Sequence, residues 1–257
     1  MTMPLEIVTV PCLADNYAFL LHVPGSGTTA LVDAPEAAPI KAELEKRGWT
    51  LDYVLLTHHH WDHVDGLDEL RQIYKPTVVG AKADAHRLPP LDLTVEEGDT
   101  FSLDQEDIHV IDVSGHTVGH IAFHIPGSQA VFTADSLMAL GCGRLFEGSP
   151  KQMWQSLSKL AALPADTMVY SGHEYTQTNG AFALTIEPNN PALQTRVADI
   201  TKSRAEGLPT VPSLLSLELA TNPFLRAKLD ETKHALGMEN IDSEQVFAEI
   251  RRRKDAF

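Results

Sequence analysis

Thr57-His58-His59-His60-Trp61-Asp62-His63 places four histidines and one aspartate within seven residues. Imidazole is a poor core group and costs free energy when its polar atoms are buried without partners. A run of this kind needs a partner that suits both imidazole and carboxylate, and a divalent cation does. The apolar run 52–56 just before it reads as a short strand, so the cluster lies where the chain leaves a strand. In extended chain, residues two apart point to the same side, so His58 and His60 can grip one ion. Asp62 and His63 then turn away and can begin the shell of a second. His59 and Trp61 read as spacers.

Other strand-length apolar runs lie at 29–33, 77–80, 108–113, 121–125, 130–133 and 167–170, each bounded by Gly, Pro, Asp or Ser. Helical spacing is expected over 37–47, 66–74 and 150–163. The mixture implies sheets covered by helices. His116 follows the run ending at 113, Asp135 follows the run ending at 133, and His173 follows the run ending at 170. Four strands thus each stop at a histidine or an aspartate. If these strands are sheet neighbours, the side chains converge at one edge, where loops vary on a fixed scaffold. Asp135 has two oxygens and could bridge two ions. A solvated polar loop would explain the first cluster alone, but not the three further candidates in matching positions. The lone His86, His109 and His234 are assigned no role, and His120 and His124 read as structural.

The chain has 257 residues, 43% hydrophobic and 21% charged, which suits a globular α/β protein and excludes a disordered or fibrous one. Its net charge of −15 argues against a nucleic-acid partner. No apolar run is long enough for a membrane span and no signal peptide is evident, so a cytoplasmic protein without an obligate protein partner is expected. The two cysteines, Cys12 and Cys142, read as reduced thiols, with Cys142 a small packed residue. After about residue 172 the texture turns helical, with helices expected from Pro191, over 214–220 and over 243–253. The expected domains are 1–173, α/β and catalytic, and 174–257, smaller and helical.

These residues resemble the metallo-β-lactamase superfamily. Its His-x-His-x-Asp-His loop stands here at 58–63, and its later elements stand as Gly115-His116-Thr117, Thr133-Ala134-Asp135 and Ser171-Gly172-His173. The narrower resemblance is to glyoxalase II, the hydroxyacylglutathione hydrolases, in their bacterial form. It is carried by Asp15-Asn16-Tyr17, the segment 141–148, His173-Glu174-Tyr175-Thr176, Asn222-Pro223-Phe224-Leu225-Arg226 and the ending Arg253-Lys254-Asp255-Ala256-Phe257.

The resemblance implies an αββα sandwich with a helical C-terminal domain. It implies that His58, His60 and His116 bind one metal, that Asp62, His63 and His173 bind another, and that Asp135 bridges them. It makes the substrate a glutathione thioester such as S-D-lactoylglutathione, with Arg144, Phe146, Tyr175, Arg251 and Lys254 lining the glutathione site. Lysine and tyrosine are common where this chain has Arg144 and Phe146, so one hydroxyl contact is lost. The usual Val-Asp-Pro-Gly reads Val32-Asp33-Ala34-Pro35, a local turn difference.

The chemistry follows from the donor set. A water between two divalent ions ionises near neutral pH and becomes the nucleophile, with Asp62 and Asp135 as the carboxylates that serve it. The ions are expected to be zinc, with iron or manganese chemically acceptable. A thiolate leaves with a pKa around 8.5 and needs no dedicated acid. A glutathione persulfide dioxygenase with one iron, or another hydrolase of the same fold, would use a similar ligand set; the C-terminal ending argues against the first, and the segment 141–148 with the C-terminal domain against the second.

Overall fold

The computed structural model describes residues 5–257. The chain forms two compact units. The first holds the described residues up to Asp112 together with Val118–Phe132, and the second holds Val113–Thr117 with Thr133–Phe257.

The first unit opens with a hairpin, β1 (Glu6–Cys12) and β2 (Asn16–His22), which pair antiparallel. β3 (Thr29–Val32) joins β2 antiparallel, and β4 (Tyr53–Leu55), β5 (Thr77–Ala81) and β6 (Leu93–Val95) follow in parallel. Parallel neighbours need crossover connections, usually helical ones, as on two of the three crossovers here. These are α1 (Ala37–Arg47) between β3 and β4, and α2 (Trp61–Val64) with α3 (Leu67–Tyr74) between β4 and β5. Helix α1 stops where Gly48 takes a left-handed φ of 69°, and α3 turns Leu67 and Leu70 inward. A second sheet is built from β7 (Thr100–Leu103), β8 (Glu106–Asp112), β9 (Ile121–Ile125) and β10 (Ala130–Ala134), all antiparallel neighbours in that order. Phe19 of β2 meets Phe132 of β10 with ring centroids 5.6 Å apart, so the two sheets share a buried aromatic contact.

The chain passes into the second unit within β10. There β13 (Met168–Ser171) lies next to β10, and β14 (Ser213–Leu214) closes that edge of the sheet. A two-stranded ribbon, β11 (Leu137–Met138) and β12 (Gly141–Cys142), precedes α4 (Pro150–Leu160). Ser149 and Gln152 cap α4 reciprocally and Pro150 fills its first position, which explains where it starts. The remaining helices are α5 (Thr176–Ile186), α6 (Pro191–Ala205), α7 (Leu215–Thr221), α8 (Pro223–Arg226), α9 (Asp230–Leu236) and α10 (Ser243–Asp255). Phe224 packs against Phe182 at 6.1 Å and against Phe247 at 5.7 Å, and so ties α5, α8 and α10 into one core.

The expected strands and the helices of residues 37–74 form where the sequence placed them. The hairpin β1–β2, the strands β6, β7, β11, β12 and β14 and the helices α2, α5, α8 and α9 were not expected. In β2 every residue but the last is buried, because it lies inside a sheet covered on both faces, and alternation is lost. The four strands that stop at His or Asp are not all sheet neighbours. β4 lies in the first sheet, whereas β8, β10 and β13 lie in the second.

Candidate metal centre

In the first unit the histidine cluster starts two residues after β4, at a buried Thr57 and a buried His58. Its organiser is Asp33, the residue after β3, held at a left-handed φ of 57°. Asp33 Oδ1 accepts from the Thr57 amide at 2.9 Å, and Asp33 Oδ2 accepts from the Thr57 hydroxyl at 2.9 Å. The same Oδ2 faces His63 Nδ1 at 2.8 Å. Thr57 Oγ1 also faces His58 Nδ1 at 2.9 Å. The hydroxyl has one proton and it goes to Asp33, so Oγ1 accepts from His58 Nδ1. Both His58 and His63 therefore carry their proton on Nδ1 and turn Nε2 lone pairs the other way, which is the tautomer a metal ligand needs.

His60 is half-buried, with its ring 4.8 Å from that of His58. Asp62 sits in the first turn of α2, where the Asn16 amide donates to its carbonyl at 3.0 Å and to its Oδ2 at 3.1 Å. His59 is more than a spacer. Its Nδ1 lies 2.8 Å from the buried Asp84, which also accepts from Arg87 Nε at 2.5 Å, and Arg87 donates to the Val118 carbonyl at 2.7 Å. This chain anchors the cluster to the next loop. His120 is buried and stacked on His58 at 4.5 Å, in keeping with a structural part.

In the second unit three of the expected residues come together. Asp135 Oδ2 lies 3.4 Å from His116 Nε2 and 3.3 Å from His173 Nε2, and all three are buried. His116 Nδ1 donates to the Arg144 carbonyl at 2.8 Å, because a carbonyl can only accept. In the neutral ring Nε2 is then an acceptor facing an acceptor carboxylate. Two acceptors at that distance need a cation or a proton between them. The donor set therefore fits a divalent ion. Ala134, just before Asp135, has a left-handed φ of 40°, a conformation that costs a non-glycine residue about 1 kcal/mol. Gly143 is required by close approach, since a Cβ there would overlap the Asp135 carbonyl oxygen and lie 2.9 Å from His116 Nδ1.

The expected glutathione residues also fall in this unit. Phe146 is 61% exposed with its ring 5.2 Å from that of His116. Tyr175 stacks on His173 at 4.6 Å. Arg144 projects with its side chain 57% exposed. Lys254 Nζ lies 5.2 Å from the Phe182 ring and 5.1 Å from the Phe257 ring, and burial, helped by the charge of Arg251, holds its ammonium below the ordinary lysine pKa. Arg251 is not a surface arm. It is 6% exposed, donates to the Cys142 carbonyl at 3.0 Å and binds Asp255 through Nε and Nη2. Cys142 is a packed thiol, pushed up to about 11 by burial.

A family model described as metallo-beta-lactamase superfamily matches residues 15–173, and one described as hydroxyacylglutathione hydrolase C-terminus matches residues 174–257. The chain is 71% identical over 255 residues to the hydroxyacylglutathione hydrolase of Ruegeria pomeroyi, covering 99% of this chain and 100% of that one. The chain belongs to the hydroxyacylglutathione hydrolase family. The family member of Methylococcus capsulatus is 54% identical, covering 98% and 99% of the two chains. Among solved structures, ETHE1 from Myxococcus xanthus superposes with a TM-score of 0.66 at 23% identity over 99% of both chains, which shows the shared fold. TTHA1623 in a di-iron-bound form matches with a TM-score of 0.62 at 25% identity, covering 86% of this chain and 100% of that one. The hydroxyacylglutathione hydrolase fold is thus a metallo-β-lactamase α/β domain followed by a helical C-terminal one.

Sequence reasoning assigned no part to Asp33, Asn16, Asp84 and Asp255. Asp33 had a visible signal, an aspartate ending the run 29–33. Asp84 had none, because its partner His59 is distant in sequence, and Asp255 stood only in the ending that carries the resemblance, with nothing local to pair it with Arg144.

Proposed function

We propose that the protein hydrolyses S-(2-hydroxyacyl)glutathione, with S-D-lactoylglutathione as the principal substrate, to glutathione and D-lactate. The observation that carries the reading is the Asp135 carboxylate oxygen shared by the Nε2 atoms of His116 and His173, in a chain whose relatives are hydroxyacylglutathione hydrolases.

His58, His60 and His116 would hold one divalent ion, and Asp62, His63 and His173 a second, with Asp135 bridging. Zinc is the favoured metal, with iron and manganese accepted by the same donors. Such ions, when bound, supply a water acidic enough to ionise near pH 7 and a Lewis acid for the carbonyl oxygen. The chain does the positioning. Asp33 and Thr57 fix the tautomers of His63 and His58, the Arg144 carbonyl fixes that of His116, and Asn16 holds Asp62. Arg144, Phe146, Tyr175 and Lys254 would line the glutathione site, with Arg251 bracing it from beneath. The glutathione thiolate leaves without a dedicated acid, since its pKa is around 8.5.

In domain terms, residues 1–173 form the catalytic part and 174–257 the helical part that contributes to the glutathione site. No helix of the described residues is long and apolar enough to cross a membrane, and the reaction is assigned to the cytoplasm, as the second step of methylglyoxal detoxification.

The test is elemental analysis of the purified protein beside an S-D-lactoylglutathione hydrolysis assay. His58→Ala and Asp135→Ala should lose metal and turnover together. Oxygen uptake with glutathione persulfide and no loss of thioester would replace this reading with a dioxygenase.

A further inference from the structure

One carboxylate oxygen, Asp255 Oδ1, collects two guanidinium groups. Arg251 reaches it through Nε at 3.0 Å and Nη2 at 2.7 Å, and Arg144 through Nε at an ion-pair distance of 3.5 Å. The two arginines differ in kind. Arg251 is buried, lies over the Phe224 ring at 5.2 Å and donates Nη1 to the Cys142 carbonyl. Arg144 is mostly exposed, and among the described residues its only side-chain partner is Asp255.

The connections close a loop. Cys142 and Arg144 belong to one segment, Gly141-Cys142-Gly143-Arg144. Arg251 and Asp255 are one turn apart on α10. Arg251 ties the backbone of that segment to α10 through the Cys142 carbonyl, and Asp255 ties its outermost side chain to the same turn. Asp255 is thus braced from behind by a buried cation, and Arg144 is the free end of the network.

We infer that Asp255 is a positioning residue that aims Arg144 at an anionic group of the substrate; the inference rests on the glutathione-thioester reading above. An exposed arginine side chain loses rotamer entropy when it is held in one geometry. Holding the arm in advance removes part of that loss from substrate binding. Asp255 takes the Nε side and leaves the Nη end of the fork for a carboxylate. A carboxylate of the glutathione moiety is the chemistry this fork fits, and a thioester lacking those carboxylates gains nothing from it.

The experiment compares wild type, Asp255→Asn, Arg144→Ala and the double variant on two substrates, S-D-lactoylglutathione and the lactoyl thioester of N-acetylcysteamine. Asp255→Asn is expected to raise KM for the glutathione thioester about tenfold, with kcat and metal content unchanged and the carboxylate-free thioester unaffected. In the Arg144→Ala background the same change is expected to add less than twofold. An unchanged KM, a full additional effect in the double variant, or an equal loss on both thioesters would overturn the assignment. A wild type inert towards the glutathione thioester would instead remove the functional reading, and this inference with it.

Asp255→Asn also unpairs buried Arg251 and can fail to fold, so a second measurement uses the wild-type holoenzyme. The Arg144 Nε–H resonance, identified by its loss in Arg144→Lys, should show a heteronuclear NOE close to that of backbone amides without substrate. A value near zero would mean a freely moving arm and would overturn the inference.

Discussion

Asp33 Oδ2 lies 2.8 Å from Nδ1 of His63, in a part of the fold where both residues are buried. The same carboxylate takes the Thr57 hydroxyl proton, so it sets the tautomer of His58 as well. Removing such a partner typically weakens metal binding 10–100-fold. Asp33→Ala should therefore retain the fold and bind metal roughly 10–100-fold more weakly, as measured by competition with a chromogenic chelator. Wild-type affinity in that variant would mean the histidines are oriented by something else.

Gly143 packs its α-carbon against Asp135 and His116. A methyl group there has nowhere to go, because the obstructing atom is a backbone carbonyl and not the end of a flexible side chain. Gly143→Ala should displace the segment after β12 and lower metal content and kcat together, while Gly207→Ala, whose added Cβ meets no atom within 4 Å and whose cost is confined to its own left-handed φ of 73°, should leave metal content unchanged. Full metal occupancy in Gly143→Ala would refute the packing argument.

The helical part of the second unit rests on a buried ion pair, Arg196 with Glu218. Glu218 also accepts from the Leu140 amide at 2.9 Å, from Ser213 Oγ at 2.6 Å and from Asn222 at 3.1 Å. Truncating it strands a buried guanidinium, which costs about 3–5 kcal/mol. Glu218→Ala should lower the urea midpoint accordingly, and a shift equivalent to less than about 1 kcal/mol, the scale of exposed pairs, would contradict the burial of this pair.

His124 on β9 pairs across the ladder with His109, and burial first, then the His109 charge, holds its pKa below the ordinary 6.5. In the unfolded chain it titrates near 6.5, so below that pH the unfolded state takes up a proton that the folded state resists. Its effect on stability is absent above about pH 6.5 and becomes destabilising as pH falls from there through the depressed folded value. His124→Gln should flatten the loss of stability between pH 7.5 and pH 5.0. An identical pH dependence in wild type and variant, followed by urea titration, would show that His124 does not contribute.

Both cysteines are buried and reduced, and burial pushes Cys12 up to about 12 and Cys142 up to about 11. The thiolate is the reactive form, so native protein at pH 8 should react with a disulfide reagent far more slowly than free cysteine. Two thiols per chain should appear on denaturation, and rapid titration of the native protein would contradict the burial.

The ligand candidates were legible because each lies just after a strand that ends in the expected place. His58 follows β4, His116 follows β8, Asp135 follows β10 and His173 follows β13, and apolar runs of that length announce themselves. The cap of α4 and the stop of α1 were equally local, one written in Ser149 and Gln152 and the other in Gly48. The hairpin β1–β2 was not legible, since β1 carries Pro11, which argues against a strand, and no glycine marks its turn at 13–15.

The sequence by itself determined the chemistry on offer: imidazole and carboxylate, no nucleophilic serine motif, and a spacing at 58–63 that suits metal ligation. Residue identity and short-range spacing are local properties. Tertiary structure alone decided which nitrogen each histidine turns outward, through Asp33, Thr57 and the Arg144 carbonyl, and which carboxylate holds Arg144. Those outcomes depend on hydrogen bonds and an ion pair between residues from about twenty to more than a hundred positions apart, and only the folded chain brings such partners together.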